Sequence, residues 1–396
     1  MVVDLVGIGM DGGATLTLEA QEAIAKAQLL IGAVRMLEAV PEDGRERLCA
    51  YDAQKIADYI ASSKAERAAV LLSGDTGFFS GAKRLSEALQ GHRIRLIPGI
   101  SSVVYFCAKI AMPWENMRFI SLHGTDQNAA IHVRSGLRTF FLLGGGMTAG
   151  EVCKRLCEYG LESVKIHIGE RLGYADERIL SGTAQALSNV ETAGLSVMIA
   201  ENPRFCDYLP TCIPDTAFVR GNVPMTKSEV RGVSVAGLEI GRRETCWDIG
   251  CGTGSVSVEL ALRCPDGRVL AIDKNPEAVS LTIENARKFS CDNIQVVTGN
   301  APDALEAFPK PDKVFIGGTG GELDKIFDVI SRKNPDAVIT VNAVSLETLA
   351  DAQAAFRSRG GECSVTQIAV TQTRRLGDHT MLSANNPVFI IRGRLR

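Results

Sequence analysis

The chain of 396 residues lacks a surplus of positive charge and any long apolar run. Its formal net charge is −3, which argues against a protein that coats nucleic acid or an anionic membrane, because both need a basic surface. No uninterrupted apolar stretch is long enough to span a bilayer, and the apolar N-terminus contains Asp4 but no basic cluster. We therefore expect a cytoplasmic protein that binds neither nucleic acid nor a membrane.

Cysteines in C-x-x-C pairs are also missing, although the chain has eleven cysteines in all. Cys153 and Cys157 stand at helical spacing, which is typical of small buried thiols. The five histidines and the cysteines form no cluster with metal-ligand spacing. The sequence thus predicts neither a disulfide framework nor a metal site.

What is present is a globular composition, with 45% hydrophobic and 22% charged residues, and a length suited to two domains. Strand and helix patterns alternate on both sides of residues 201–227, a stretch with four prolines and no periodicity. We predict a first domain over residues 1–205, with lobes of about 1–112 and 113–205. A linker over 206–225 and a second domain over 226–396 follow.

The second half has the pattern of a parallel sheet with helical crossovers. Thr245 to Ile249 form an apolar strand, Gly250 to Gly254 a tight loop, and a helix begins at Ser255. The two final strand-like runs, CSVTQIAVTQT and PVFIIRGR, have no helix between them. A parallel sheet that ends in an antiparallel hairpin favours the Rossmann-like class I methyltransferase fold over a dinucleotide-binding fold.

The helix that follows the strand RVLAID has a clear start signal. Asn275 is a suitable N-cap and Pro276 suits the first turn. Its apolar residues Val279, Ile283 and Ala286 follow at helical spacing.

Glycine spacing in the loop GCGTG indicates the ligand. A dinucleotide pyrophosphate is typically bound by G-x-G-x-x-G, whereas Gly250, Gly252 and Gly254 give G-x-G-x-G. This spacing favours S-adenosyl-L-methionine over a nicotinamide dinucleotide, with Cys251 and Thr253 supplying the intervening backbone groups.

Three further positions are candidates for the same ligand. Asp273, at the end of the next strand, is placed to accept hydrogen bonds from both ribose hydroxyls, although an acidic residue near a helix N-terminus is the simpler explanation. Asn300 and Ala301 are placed to flank the adenine, and Thr226 is a candidate for an extra contact.

In the first half, three glycine-containing loops follow strands: VGIGMDGG with Gly7 and Gly9, LLSGDTGFFS with Asp75 and Thr76, and PGISS with Ser101 and Ser102. In this order they resemble the tetrapyrrole methylases, as do HIGERLGYADERILSGTAQAL and LSVMIAENP. The resemblance implies two α/β lobes with adenosylmethionine bound by these residues in a cleft. The family usually has proline where this chain has Met10, and GDP where it has GDT.

The second half is similar to the methyltransferases of the same corrin pathway, through PMTKSEVR, DIGCGTG, GNAPDAL, VFIGGTGGELDKIF and SANNPVFII. The combined resemblance implies a fused enzyme with two adenosylmethionine sites per chain. It implies methylation of a precorrin at carbons 5 and 15 and decarboxylation of the acetate on carbon 12. By the same resemblance, the first half serves carbon 5, the second half carbon 15 and decarboxylation, and the chain forms a homo-oligomer.

A tetrapyrrole with many carboxylates requires local basic residues. The catalytic candidates are Lys227, Glu229 and Arg231 beside the expected cofactor loop, and His379 in the segment TRRLGDHT with Arg374 and Arg375. For each basic residue taken alone, a solvated surface is the simpler explanation, whereas for the clusters substrate contact is as good an explanation, and His379 could be structural.

Two other functions are compatible with parts of the sequence. An RNA or protein methyltransferase with an N-terminal substrate-binding module would need a broad basic surface, which the net charge disfavours. A nicotinamide-dependent oxidoreductase would need the dinucleotide glycine spacing, which the loop lacks.

Overall fold

A computed structural model describes residues 1–11, 13–123, 128–145 and 147–395 of the chain. The chain divides into two compact units, each built from separate stretches. The first unit contains Met1–Asp126, Arg138–Val152 and Val164–Glu201, and the second contains Gln127–Leu137, Cys153–Ser163 and Asn202–Arg396. Among the described residues, no helix combines the length and apolar character that crossing a bilayer requires.

The first sheet of unit one is fully parallel, with strands in the order β3-β2-β4-β1-β5. Its elements are β1 Val2–Gly7, α1 Leu18–Lys26, β2 Leu29–Gly32, α2 Val34–Glu38, β3 Glu46–Cys49, α3 Ala53–Ser62, β4 Arg67–Leu72, α4 Ala82–Ala88, β5 Arg93–Ile97 and α5 Ser102–Lys109. The loops after β1, β4 and β5 leave the sheet at the same edge, since parallel strands share one carboxyl end.

The second sheet of unit one is mixed, in the order β6-β7-β10-β8-β9, with only β6 and β7 parallel. The elements in this part of the chain are β6 Arg118–Ser121, α6 Ala130–Arg134, β7 Arg138–Leu142, α7 Ala149–Glu158, β8 Lys165–Glu170, β9 Arg178–Thr183, α8 Ala184–Leu187 and β10 Ser196–Glu201. Two sheets within the first unit agree with the expected pair of lobes.

The third sheet, in unit two, has seven strands in the order β13-β12-β11-β14-β15-β19-β16. A short 3-10 turn, Asp215–Ala217, precedes α9 Ser228–Ala236, and a second, Leu305–Ala307, follows α12. The other elements are β11 Thr245–Ile249, α10 Ser255–Arg263, β12 Arg268–Asp273, α11 Pro276–Lys288, β13 Ile294–Thr298, α12 Ala301–Ala304, β14 Lys313–Ile316, α13 Leu323–Lys333, β15 Val338–Ala343, α14 Leu346–Ser358, β16 Glu362–Ile368, β17 Thr371–Leu376, β18 His379–Ala384 and β19 Val388–Arg394.

The antiparallel end of this sheet confirms the expected methyltransferase fold, but the strands divide differently from the prediction. β19 lies between β15 and β16 and is antiparallel to both. The run 363–373, predicted as one strand, breaks after Ile368, and its second part pairs with β18 in a separate two-stranded hairpin. Every residue of β17 and β18 is exposed.

The helix α11 begins as predicted, because the side chain of Asn275 accepts a hydrogen bond from the N–H of Glu277 at 3.0 Å. Its buried face differs from the row of apolar residues at helical spacing. Ala286 is buried, but Val279 is only half-buried and Ile283 is 37% exposed. The inner positions are instead Ala278, Leu281, Thr282, Asn285 and Ala286, of which two are polar and bond to backbone carbonyls or the loop.

Unit two includes two short stretches from the first half of the chain, and Asp292 holds one of them. The Asp292 carboxylate accepts the N–H groups of Ala129, Ala130 and Ile131 at 2.7, 2.9 and 3.0 Å. Burial raises the pKa of Asp292, and these three hydrogen bonds lower it in part. Ile131 is 2% exposed and belongs to the hydrophobic core beside β11 and α10.

The chain from Ile213 to Val223, inside the predicted linker, packs on this unit as well. Ile213 and Phe218 join the same core as Ile131, and Val223 packs on α11. The boundaries predicted for the two domains and the linker remain predictions.

Candidate functional site

A cavity of about 220 Å³ opens in unit two at the carboxyl ends of the central strands. Its lining comes from the loops after β11, β12, β13 and β14, together with Pro224 and Thr226. Open parallel α/β sheets bind ligands at this edge.

The glycine loop lies close to other backbone and has little room for side chains. Gly250 has φ of 75°, and a Cβ there would lie 2.6 Å from the N atom of Gly318. Gly252 has φ of 55°, and its Cβ would lie 2.6 Å from the carbonyl oxygen of Pro224. The loop therefore needs glycine both for its left-handed conformation and for close backbone packing.

Asp273 holds this loop in place and faces the cavity. Its Oδ2 accepts the N–H of Gly252 at 3.0 Å, and its Oδ1 accepts the N–H of Asn275 at 2.9 Å. A carboxylate has about four acceptor positions, so both oxygens can still accept hydroxyl groups of a ligand.

Asp248 is a cavity residue that the sequence analysis missed. It is fully buried at the end of β11, Ser257 donates a hydrogen bond to its Oδ2, and Oδ1 has no partner within the described part of the chain. Burial, with a smaller effect from Asp273, raises the pKa of Asp248 to about 7, against the opposing Ser257 hydrogen bonds. An unpaired buried carboxylate that faces a cavity is suited to a cationic ligand group.

Most of the predicted cofactor residues of the second half come together here. Those that line the cavity are Thr226, Gly250, Cys251, Gly252, Asp273, Asn300 and Ala301. Thr253 is 1% exposed and not part of the lining, and Gly254 is the N-cap residue of α10, where a Cβ would lie 2.8 Å from Thr282. These two residues support the conformation of the loop without lining the cavity.

Lys274 and the loop Gly317–Gly320 also line the cavity, and the sequence analysis did not select them. Lys274 is exposed and makes no ion pair with any residue in the described ranges. The sequence contains a signal for both, because Lys274 directly follows Asp273 and the segment IGGTGG is a second glycine-rich loop at the end of a strand.

Arg231, predicted as a catalytic candidate, is a structural residue, and the prediction is corrected. Its side chain is 0% exposed, its Nε donates to Glu259 at 2.7 Å, and its Nη1 donates to the carbonyl of Thr226 at 2.6 Å. It also donates to the carbonyl of Ile213 and forms an ion pair with Asp215. With its donors directed at protein atoms, Arg231 fixes the backbone at Thr226 and does not face the cavity.

Lys227 and Glu229 lie at the first turn of α9, next to Thr226. The Nζ of Lys227 is 3.5 Å from Asp215, and its side chain is 44% exposed. A hydrogen bond from its own N–H, followed by those of Gln372 and Ser228, lowers the pKa of Glu229 despite partial burial. Glu229 is therefore an ionised acceptor and not an acid at neutral pH.

His379 is not part of the lining of this cavity. It begins β18, opposite Leu376, in the exposed hairpin that also carries Arg374 and Arg375. The hairpin approaches α9 at its base, where Gln372 donates to Glu229 at 2.7 Å. The structure thus does not bring His379 together with the cofactor loop.

A second cavity, of about 290 Å³, lies within unit one. Of the predicted cofactor residues, Asp75, Ser101 and Ser102 line it. Asp75 joins two of the loops, since its Oδ1 accepts the N–H of Gly77 at 2.8 Å and its Oδ2 that of Gly99 at 3.1 Å. Ser101 also caps α5.

Gly7, Gly9 and Thr76 are outside the lining of this cavity. A Cβ on Gly7 would lie 2.7 Å from the carbonyl oxygen of Gly74, and one on Gly9 would collide with Thr15. Gly9 has φ of 71° and bridges to Gly74. Gly7 and Gly9 allow the loops to pack, and the lining includes Met10 at the position where the family usually has proline.

Two family models match nearly the whole chain. One described as tetrapyrrole (corrin/porphyrin) methylases matches residues 2–188, and one described as precorrin methyltransferase domain matches residues 216–393.

Individual relatives cover either half or most of the chain. A Pyrobaculum calidifontis protein named probable cobalt-precorrin-6B C(15)-methyltransferase (decarboxylating) is 43% identical over 46% of this chain and 96% of its own length. A Sinorhizobium protein named precorrin-6Y C(5,15)-methyltransferase [decarboxylating] is 28% identical over 87% of this chain and 84% of its own length. The solved structure titled precorrin-6y C5,15-methyltransferase from Geobacter metallireducens has 36% identity and a TM-score of 0.44, over 46% of this chain and 95% of that one.

Proposed function

Because this chain belongs to the decarboxylating precorrin methyltransferases, with a tetrapyrrole methylase region ahead of a precorrin methyltransferase domain, we propose that it methylates one macrocycle at two sites. On this proposal, precorrin-6Y/6B is methylated at carbons 5 and 15 and decarboxylated at the carbon-12 acetate, which gives precorrin-8. The observation that carries the proposal is the presence of a separate glycine-lined cavity in each unit.

The cavity of unit two has the groups that S-adenosyl-L-methionine requires. Asp273 would accept hydrogen bonds from the ribose hydroxyls, and Asn300 and Ala301 would flank the adenine. The unpaired Oδ1 of Asp248 would accept a hydrogen bond from the ammonium group of the methionine part. When bound, S-adenosyl-L-methionine supplies a methyl group on an activated sulfonium. The protein's part is to hold donor and ring carbon in line, which requires rigid loops more than a strong base.

The cavity of unit one would hold the second molecule of the same cofactor. Asp75, Ser101 and Ser102 lie on loops that leave parallel strands at one edge, and Asp75 fixes two of these loops together. We assign methylation at carbon 5 to this unit and methylation at carbon 15 with decarboxylation to unit two.

Carboxylates of the ring require cations near the cavity of unit two. Lys227 follows the lining residue Thr226, and Lys274 lies in the lining itself. Loss of carbon dioxide leaves an electron pair that the conjugated ring can accept, so the protein needs a clamp that holds the ring by its other carboxylates and a proton for the ring. Lys227 and Lys274 would act as the clamp.

Product analysis of two site variants of the full chain tests the division of labour. We expect Asp273→Ala to transfer one methyl group, at carbon 5, without release of carbon dioxide. We expect Asp75→Ala to lose the carbon-5 methyl and to retain carbon dioxide release. Mass spectrometry and NMR of the ring identify the products, and carbon dioxide release by Asp273→Ala at the wild-type rate would contradict the assignment to unit two.

The raised pKa of Asp248 predicts that cofactor binding at unit two releases a proton. The folded protein without added cofactor holds a proton on Asp248 below about pH 7. A cationic ligand favours the ionised form, so adenosylhomocysteine binding should release a proton near pH 6 but not above pH 8. Below pH 7 the affinity at this site should weaken by up to about tenfold per pH unit.

Calorimetry in buffers of different ionisation enthalpy measures this proton release. In Asp248→Asn the buffer dependence at pH 6 should disappear for this site, while the binding heat from unit one remains. Equal heats in all buffers at pH 6 for the unaltered chain would contradict the role of Asp248.

A further inference from the structure

Arg35 is a half-buried cation in unit one whose positive charge has no acidic partner within the described ranges. It lies in α2, and its Nη1 donates to the hydroxyl of Tyr174 at 2.6 Å and its Nη2 to Ser73 at 3.2 Å. Both partners are neutral. A guanidinium has five N–H donors, so three remain available for a ligand.

The neighbouring arginine is not available in the same way. Arg171 forms an ion pair with Asp176 and stacks over the Tyr174 ring, with its Cζ 4.9 Å from the ring centroid. Arg35 is 5.9 Å from the same centroid. Tyr174 therefore orients Arg35, while the charge of Arg171 is already compensated.

Arg35 lines the cavity at a distance from Ser101 and Ser102, two of the residues assigned to the cofactor. It follows β2, whereas Ser101 and Ser102 follow β5, and these strands are three positions apart in the sheet. At about 4.8 Å between neighbouring strands, the two loops are roughly 14 Å apart. Arg35 and the two serines thus line different parts of one cavity, and Asp75, which follows the intervening strand β4, lies between them.

Phe79 supplies an aromatic surface in the same cavity. It is 47% exposed and has φ of 47°, a conformation that is strained for a large side chain. Phe78 packs against it edge-on, with ring centroids 4.8 Å apart. An exposed ring held in a strained backbone is suited to packing against a flat apolar ligand.

We propose that Arg35 binds a peripheral carboxylate of the tetrapyrrole and that Phe79 packs against its ring during methylation by unit one. The inference rests on the proposed function of this unit and names the residues that position its substrate. A flat ring with a rim of carboxylates matches one aromatic face and one fixed guanidinium, which carboxylates bind in a bidentate manner.

The test uses the full chain in an Asp273→Ala background, so that only unit one transfers methyl groups. Arg35→Gln should raise KM for the ring by about 10-fold to 100-fold, the loss expected for charge-assisted hydrogen bonds, with kcat within about threefold. Adenosylhomocysteine affinity should stay unchanged. The matched control is Arg84→Gln, an exposed arginine of α4 outside the cavity, which should leave both quantities unaltered.

Two further variants separate binding from folding. Tyr174→Phe keeps Arg35 and the stacked ring but removes the 2.6 Å hydrogen bond, and should raise KM about threefold to tenfold. Phe79→Gly removes both the ring and the strained φ, so it should raise KM without lowering the thermal midpoint.

Each remaining outcome overturns a different statement. An unchanged KM in Arg35→Gln overturns the carboxylate contact, and a weakened adenosylhomocysteine affinity makes Arg35 a cofactor residue. If Phe79→Gly leaves KM unchanged, the ring does not pack there. Absence of any methyl transfer by the Asp273→Ala parent overturns the proposed function of unit one, and the assignment of Arg35 with it.

Discussion

Replacement of Arg231 by methionine should lower the free energy of unfolding of unit two by about 3–5 kcal/mol, the cost of breaking a buried ion pair from one side. Arg231 and Glu259 are both 0% exposed and lie 2.7 Å apart. The substitution leaves the Glu259 carboxylate buried and removes the donors to the carbonyl groups of Ile213 and Thr226.

Urea denaturation measured by tryptophan fluorescence reports this change. The chain has two tryptophans, of which Trp247 is in the core of unit two and Trp114 in unit one, so a Trp114→Phe background isolates the signal. The double variant Arg231→Met with Glu259→Leu should recover a large part of the loss, because no buried charge remains from this pair. A decrease below about 1 kcal/mol in the single variant, a value typical of surface pairs, would contradict a buried structural role.

Asp273→Ala should weaken adenosylhomocysteine binding at unit two by about 10²-fold to 10⁴-fold, which corresponds to two charge-assisted hydrogen bonds. The same substitution removes the acceptor of the Gly252 N–H, so the glycine loop loses one of its fixed positions. Binding at unit one should not change, since Asp273 belongs to unit two.

Calorimetry with adenosylhomocysteine should therefore show two bound equivalents in the unaltered chain and one in the variant. Asp273→Asn keeps an acceptor oxygen and should lose less affinity. The control is Glu284→Gln, an exposed carboxylate on the neighbouring helix α11, which should bind two equivalents. Two tight equivalents in Asp273→Ala would contradict the placement of the ribose at this residue.

The cofactor loop of unit two could be predicted from the sequence because its determinants are local. The strand Thr245–Ile249 was predicted with its observed limits, since an apolar run is followed directly by glycine. Asn275 and Pro276 likewise mark the start of α11 through their own backbone preferences.

The residues that were missed or misassigned depend on distant parts of the chain. The sequence shows Arg231 as a basic residue near a loop, but its burial depends on Glu259, 28 residues further, and on Asp215. In the sequence Asp248 resembles any polar residue at a strand end, and only the structure shows that it lines a cavity and that its buried Oδ1 has no partner among the described residues. The break after Ile368 also has no local signal, because β17 pairs with β18 and not with the main sheet.

The hydrogen bonds of Asp292 determine where this chain can be divided into fragments. The two matched families meet between residues 188 and 216, which would suggest that region for dividing the chain into two expressible halves. A fragment that starts there would leave the Asp292 carboxylate without its three N–H donors and would uncover the site of Ile131. The boundary between the two matched families and the boundaries of the compact unit are therefore different places in the sequence.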